Sequence, residues 1–247
     1  MGGLQLEIVK IKNVSFHNYS MEQFIEIFNT RIKEKRKTFV VTANPEIVMY
    51  ANKDPNYMET LLKADYIIPD GFGIIIASRI LNQPLKERVA GFDLMCELLS
   101  LSEKNNYKVF LLGAKEKTLD KAYMNIKKAY PKLNIVGRHH GYFDLSDERV
   151  VSEVLNVDPD LIFVATGFPR QEYWIEKYID RFHKGFFMGV GGSFDVWSGE
   201  VKRAPQSWIN CNLEWLYRLI QQPYRIKRML VLPKFFLEII FERLYSK

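Results

Sequence analysis

Short β-branched runs alternate with stretches of helical periodicity along most of the chain. Residues 38–42, 66–68, 109–112, 134–136, 161–165 and 185–189 are apolar runs of strand length, and another lies near 6–11. Between them, 20–35, 45–62, 71–81, 92–104, 116–130, 146–155 and 171–181 carry the periodicity of amphipathic helices. Strand and helix in alternation predict an α/β fold: a Rossmann-like, mostly parallel sheet with helices on both faces, since a parallel connection must cross over the sheet. The pattern breaks near 198–205, SGEVKRAP, which sets an α/β catalytic domain at 1–200 apart from a helical C-terminal appendage at 201–247.

The appendage has its own pattern. In the run MLVLPKFFLEIIFERLY, Lys234, Glu238 and Glu242 recur every four residues and form one polar stripe, leaving Phe235, Phe236, Ile239, Ile240 and Phe241 on the broad remainder. No stretch reaches the roughly 20 uninterrupted apolar residues that cross a bilayer. The pattern predicts a helix lying in a membrane interface, or docked on a partner or on its own domain. Charge sharpens this: residues 202–247 hold nine Lys/Arg and three Asp/Glu, a net of +6 that equals the net charge of the whole 247-residue chain. The body is therefore neutral, and the basic, aromatic tail fits an anionic membrane surface. Nucleic acid fits poorly, because the basic segment is joined to a hydrophobic helix and the body has no positive excess. The N-terminus lacks a signal-peptide pattern and Cys96 and Cys211 stand apart, so the expected location is cytoplasmic, with both thiols reduced.

Ligands of open parallel sheets bind beyond the carboxyl ends of the strands. The unusual residues gather there: Thr42-Ala43-Asn44-Pro45, Pro69-Asp70-Gly71, Gly113, Gly141-Tyr142, the run GFPRQE at 167–172, and Gly189-Val190-Gly191-Gly192. Asp70, on a short turn, is placed to take a proton from an attacking hydroxyl, or equally to cap the following helix. Thr42 and Asn44 suit sugar hydroxyls, or a turn and a cap. The glycines Gly113, Gly167, Gly191 and Gly192 serve either tight turns or close approach to a phosphate. Arg88 offers a planar fork for phosphate, or a surface charge. Arg218, Arg225 and Arg228 form either a diphosphate grip or a solvated basic face, with Pro223 starting the helix that holds the last two. Asp158-Pro159-Asp160 resembles a metal-binding pair but precedes its strand, on the wrong edge. His139 and His140, adjacent on a strand, should point to opposite faces. No metal is expected.

The ordered set TANPE, IPDG, RVAGFD, LLGA, GFPRQE, GVGGSFD and RAP…LEWLYRL…PYRIKR resembles the WecG/TagA/CpsF family of bacterial glycosyltransferases over nearly the whole chain. The resemblance, to the TagA/TarA branch, implies transfer of N-acetylmannosamine from a UDP-sugar donor to the 4-hydroxyl of GlcNAc-diphospho-undecaprenol at the inner face of the membrane, for wall teichoic acid. It implies an inverting reaction without metal or other cofactor, and a homodimer or higher assembly. By motif, Asp70 is the general base, and Thr42, Asn44, Arg88 and Gln171 line the sugar-diphosphate pocket. The backbone near Val190 and the side chain of Asp195 face the uridine, with Tyr142 a neighbour, and Arg218, Arg225 and Arg228 grip the lipid diphosphate. Competing expectations are a different donor, such as the uronic acid derivative, and a non-catalytic membrane-docked nucleotide-sugar sensor.

Overall fold

The computed structural model describes residues 8–223 and 226–245. The chain opens with a hairpin, β1 (Ile8–Ile11) and β2 (Val14–His17), paired antiparallel. The expected N-terminal strand near 6–11 thus belongs to a separate two-stranded sheet rather than to the parallel one, and Leu6 and Glu7 lie outside the described residues. Lys12 and Asn13 both take positive φ, which makes the two-residue turn that right-twisted hairpins favour.

After α1 (Met21–Lys33), the parallel sheet is built from β3 (Thr38–Ala43), β4 (Tyr66–Pro69), β5 (Lys108–Gly113), β6 (Asn134–His139), β7 (Leu161–Ala165) and β8 (Phe186–Gly189). Their spatial order is β4-β3-β8-β7-β5-β6, all pairs parallel. The strands have two apolar faces, as a sheet covered on both sides requires. Phe39, Val41, Phe110, Leu112, Ile162, Val164 and Phe187 enter one core, and Val40, Val109, Leu111, Phe163 and Met188 the other. At the β4 edge, the β2 residue His17 takes the Ile67 N–H on its Nδ1 at 3.1 Å, so the hairpin occupies an otherwise open sheet edge.

The single helix expected over 45–62 is two: α2 (Pro45–Ala51) and α3 (Pro55–Leu62). Asp54 caps the second, accepting from the Asn56 and Tyr57 N–H groups, and Pro55 occupies its first turn, where a missing N–H costs nothing. The remaining helices of the body are α4 (Phe72–Ile80), α5 (Gly91–Asn105), α6 (Glu116–Ala129), α7 (Glu148–Val157), α8 (Arg170–Tyr178) and α9 (Ser193–Trp197). The C-terminal segment adds α10 (Gln206–Asn210), α11 (Glu214–Gln221), α12 (Ile226–Met229) and α13 (Val231–Tyr245).

On α13 the apolar remainder is divided. Phe235 and Ile239 are fully buried in the core that α2 and α4 help to form, whereas Leu237, Ile240, Phe241 and Leu244 face solvent. Glu238 of the polar stripe pairs with Lys12 of the hairpin turn at 3.0 Å and with Lys234 at 3.8 Å. None of the described helices is long and apolar enough to cross a membrane.

Candidate active site

The carboxyl ends of β3, β4 and β8 open into a cleft of about 540 Å³, and α11, α12 and the start of α13 form its opposite wall. Thr42, Asn44, Asp70, Arg88 and Val190 line it from the body, Arg218 and Arg228 from the appendage.

Asp70 follows β4, its own N–H donating to the Ala43 carbonyl at 3.0 Å. It does not cap the next helix: Gly71 is the N-cap residue of α4, and no side chain bonds there. The Asp70 carboxylate instead accepts the Gly91 N–H at the start of α5. Burial raises the Asp70 carboxyl above its ordinary range; Arg88 opposes this, and Glu214 reinforces it. The result is a carboxylate readier to take a proton than a solvated one, held where it can reach a ligand. Gly91 is required beside it, since a Cβ there would lie 2.9 Å from Thr42 Oγ1. Asn44 caps α2, its Oδ1 accepting the Ile47 N–H at 3.1 Å, and the residue lines the cleft.

Arg88 sits between two carboxylates. Its Nε lies 4.0 Å from Asp70 Oδ1 and its Nη2 bonds Glu214 Oε2 on α11. Burial works against its charge, and Asp70 and Glu214 more than offset that. Arg203 joins the group, with Nη2 on Asp93, Nε 4.0 Å from Glu214 Oε1, and its guanidinium over the Phe92 ring. Arg218 reaches back to the β8 loop. A Cβ on Gly192 would lie 2.7 Å from Arg218 Nη2 and 3.2 Å from Asp195 Oδ2, so the bare backbone lets the guanidinium rest there. Arg228 pairs with Glu46 of α2 at 3.5 Å. The Nε atoms of Arg88, Arg203 and Arg218 are all buried without a hydrogen-bond partner among the described residues. A cluster of under-used guanidinium donors beside a basic carboxylate fits transfer of a group from an anionic leaving group.

The profile of the glycosyl transferase WecG/TagA/CpsF family matches residues 9–247. The chain belongs to this family of glycosyltransferases. It is 40% identical over 239 residues to the N-acetylglucosaminyldiphosphoundecaprenol N-acetyl-beta-D-mannosaminyltransferase of Bacillus subtilis (strain 168), covering 96% of this chain and 93% of that one. It is 42% identical over 233 residues to the enzyme of the same name from Staphylococcus aureus (strain MW2), covering 94% and 91%.

Of the other residues singled out in this glycosyltransferase, Gln171, Asp195 and Tyr142 are not among those that line the cleft. Gln171 is buried, its Oε1 accepting the Gly191 N–H at 3.0 Å and its Nε2 donating to Glu172 Oε1 at 2.7 Å. It braces the β8 loop from below. The Val190 N–H is spent on the Val164 carbonyl, so Val190 meets the cleft with its side chain. Asp195 stands beside Arg218 at Gly192, and Tyr142 is exposed beyond β6. Arg225 lies outside the described residues. The family's glycine-rich signature is partly structural: a Cβ on Gly113 would lie 2.4 Å from the Ala165 backbone. Asp158 and Asp160 hold Lys184, at 3.1 and 2.7 Å, and Asp160 accepts the Lys108 N–H. The His139 and His140 rings do not point apart; β6 ends at His139, and their centroids are 4.6 Å apart.

Sequence reading missed Arg203 and Glu214 at the cleft and Glu172 beneath it. The RAP and LEWLYRL runs contain the first two, but their meeting with Arg88 depends on the appendage folding back. Glu172 is 1% exposed with Oε2 unpartnered, and burial pushes its carboxyl up to about 7.

Proposed function

We propose that this glycosyltransferase moves N-acetylmannosamine from UDP-N-acetylmannosamine to the 4-hydroxyl of GlcNAc-diphospho-undecaprenol, building the linkage unit of wall teichoic acid. The single observation that carries the chemistry is Asp70, pinned by the Gly91 N–H on the cleft wall and opposed by Arg88. The names of the relatives supply the sugar and the acceptor.

The acceptor hydroxyl gives its proton to Asp70 as its oxygen attacks the anomeric carbon from the face opposite UDP. The bond to the UDP oxygen breaks with its electron pair, and the anomeric configuration inverts. Arg88 and Arg218 meet the charge that develops on the leaving diphosphate, the task a metal performs in other transferases. Thr42 and the amide of Asn44 orient sugar hydroxyls. Arg228 grips the lipid diphosphate, the role that the family motif also gives to Arg225. The exposed Leu237, Ile240, Phe241 and Leu244 of α13 fit a helix resting on an anionic membrane. In this reading the enzyme works peripherally on the inner face of the cell membrane, as a homodimer or larger assembly, as the family resemblance implies.

The test is purified enzyme, lipid-linked GlcNAc and a panel of UDP-sugars including the uronic acid. Turnover with UDP-N-acetylmannosamine above the others is the expected outcome; preference for the uronic acid overturns the donor. EDTA should leave the rate intact, and strict dependence on added manganese overturns the metal-free mechanism.

A further inference from the structure

The cleft contains an acid that the mechanism does not use. Glu214, at the start of α11, puts one carboxylate oxygen on Arg88 and turns the other toward Arg203 at 4.0 Å. Arg203 is braced from behind by Asp93 and by the Phe92 ring. Arg88 comes from the loop before α5, whereas Arg203 and Glu214 both come from the appendage, so this carboxylate ties the appendage to the body.

Two features mark the arrangement as exchangeable. The guanidinium groups are incompletely used: the Nε atoms of Arg88 and Arg203 are buried, each 4.0 Å from a carboxylate oxygen and without a hydrogen bond among the described residues. The ion pair also lines the open cleft, with side-chain exposures of 17% for Arg88 and 26% for Glu214. A carboxylate and a phosphate oxygen present the same acceptor geometry to a guanidinium fork, and a diphosphate brings more charge and more oxygens.

We propose that Glu214 is a placeholder for a diphosphate ester: the ligand displaces its carboxylate from Arg88 and Arg203, and Arg203 becomes an additional anion-binding residue. This rests on the glycosyltransferase reading for the source of the diphosphate, whether nucleotide donor or lipid acceptor. A bound carboxylate lowers the fraction of Arg88 open to ligand, so removing its charge must raise apparent affinity. A residue that merely braced Arg88 would do the opposite.

Calorimetric titration of the full chain with UDP and with farnesyl diphosphate tests it. Glu214→Gln, which keeps the shape and removes the charge, should tighten at least one of these ligands about threefold or more, and Arg203→Ala should weaken the same ligand about tenfold. A gain for UDP alone identifies the donor as the displacing group, a gain for farnesyl diphosphate alone the acceptor, and a gain for both a shared site. If wild type binds UDP and Glu214→Gln binds both ligands equally or more weakly, the placeholder is overturned while the donor reading survives. If no variant takes UDP but Glu214→Gln takes farnesyl diphosphate more tightly, the exchange stands and the donor reading falls. No binding of either ligand by any variant overturns both.

Discussion

The parallel-sheet body and the C-terminal segment are built on opposite principles. In the body, β5, β7 and β8 are buried almost throughout, and the polar residues at their ends are fixed by backbone hydrogen bonds. In the segment, α10 and α11 have no buried residue at all, and α13 contributes only Phe235 and Ile239 to the core. The body holds its shape by excluded water. The segment holds its place by Phe235 and Ile239, with the half-buried Val231 and Phe236 packed beside them, and by ion pairs to the body, among them Glu214 to Arg88, Arg228 to Glu46 and Glu238 to Lys12. Under the proposed function such a division is useful, because a rigid half would hold the reacting groups while a loosely held half would admit a long lipid.

The sharpest break in this comparison is at Asp70. Asp70→Asn should lower turnover by about a thousandfold or more while UDP binding is kept, as single-turnover kinetics and calorimetry would read. Substantial activity in that variant would remove Asp70 from its role. In the wild type, the raised Asp70 carboxyl should place the acid limb of kcat/KM above the ordinary carboxylate range, since only the ionised form can accept the proton. A limb at the ordinary position would show that the group is solvated in the free enzyme.

Next in size is the hold of the segment on the body. Phe235→Ala should cost about 3–5 kcal/mol in urea unfolding, the range for a fully buried Phe, whereas Leu237→Ala, on the outward face, should cost less than about 0.5 kcal/mol. Equal costs would erase the contrast between the two faces of α13.

Glu172 tests the body itself. Its carboxyl titrates near 4.5 when unfolded and is pushed up to about 7 by burial when folded. Between those values the folded state keeps a proton that the unfolded chain has lost, so this group's contribution is full below about pH 4.5. It declines as pH rises through 7, by about 3 kcal/mol in all. Glu172→Gln removes that dependence, so its stability relative to wild type should climb between pH 5 and pH 8. A gap that does not change with pH would mean that the carboxyl is not confined as described. The smallest expected effect is on membrane binding, where Phe241→Ser should weaken flotation with anionic liposomes by roughly threefold to tenfold without changing UDP affinity.

The sheet was legible because its strands are apolar on both faces and bounded by turn residues, and because β-α alternation leaves few topologies. The carboxyl-edge rule then pointed to Thr42, Asn44 and Asp70 before any contact was known, and Arg88 stood out only as a guanidinium in a polar loop. Two misses had visible signals: Lys12-Asn13 between alternating runs marks a hairpin, and Asp54-Pro55 marks a new helix start. The rest was not written locally. Which half of α13 is buried depends on α2 and α4, since both of its faces are apolar and the polar stripe runs along the flank. Arg88 and Glu214 are 126 positions apart, and nothing in either neighbourhood announces the other. Gln171 had the right chemistry for a ligand, yet the fold spends it beneath Gly191.

The contact between Gly192 and Arg218 fixes a mechanical tolerance. The roof of the cleft rests on the floor at a point where the clearance is less than one methyl group. An alanine at 192 would push the tip of the Arg218 side chain off its resting place, moving a group that meets the diphosphate while leaving the backbone in place. The resting place of one guanidinium is thus set by a single missing carbon, and laboratory variation at that position offers a graded way to displace it.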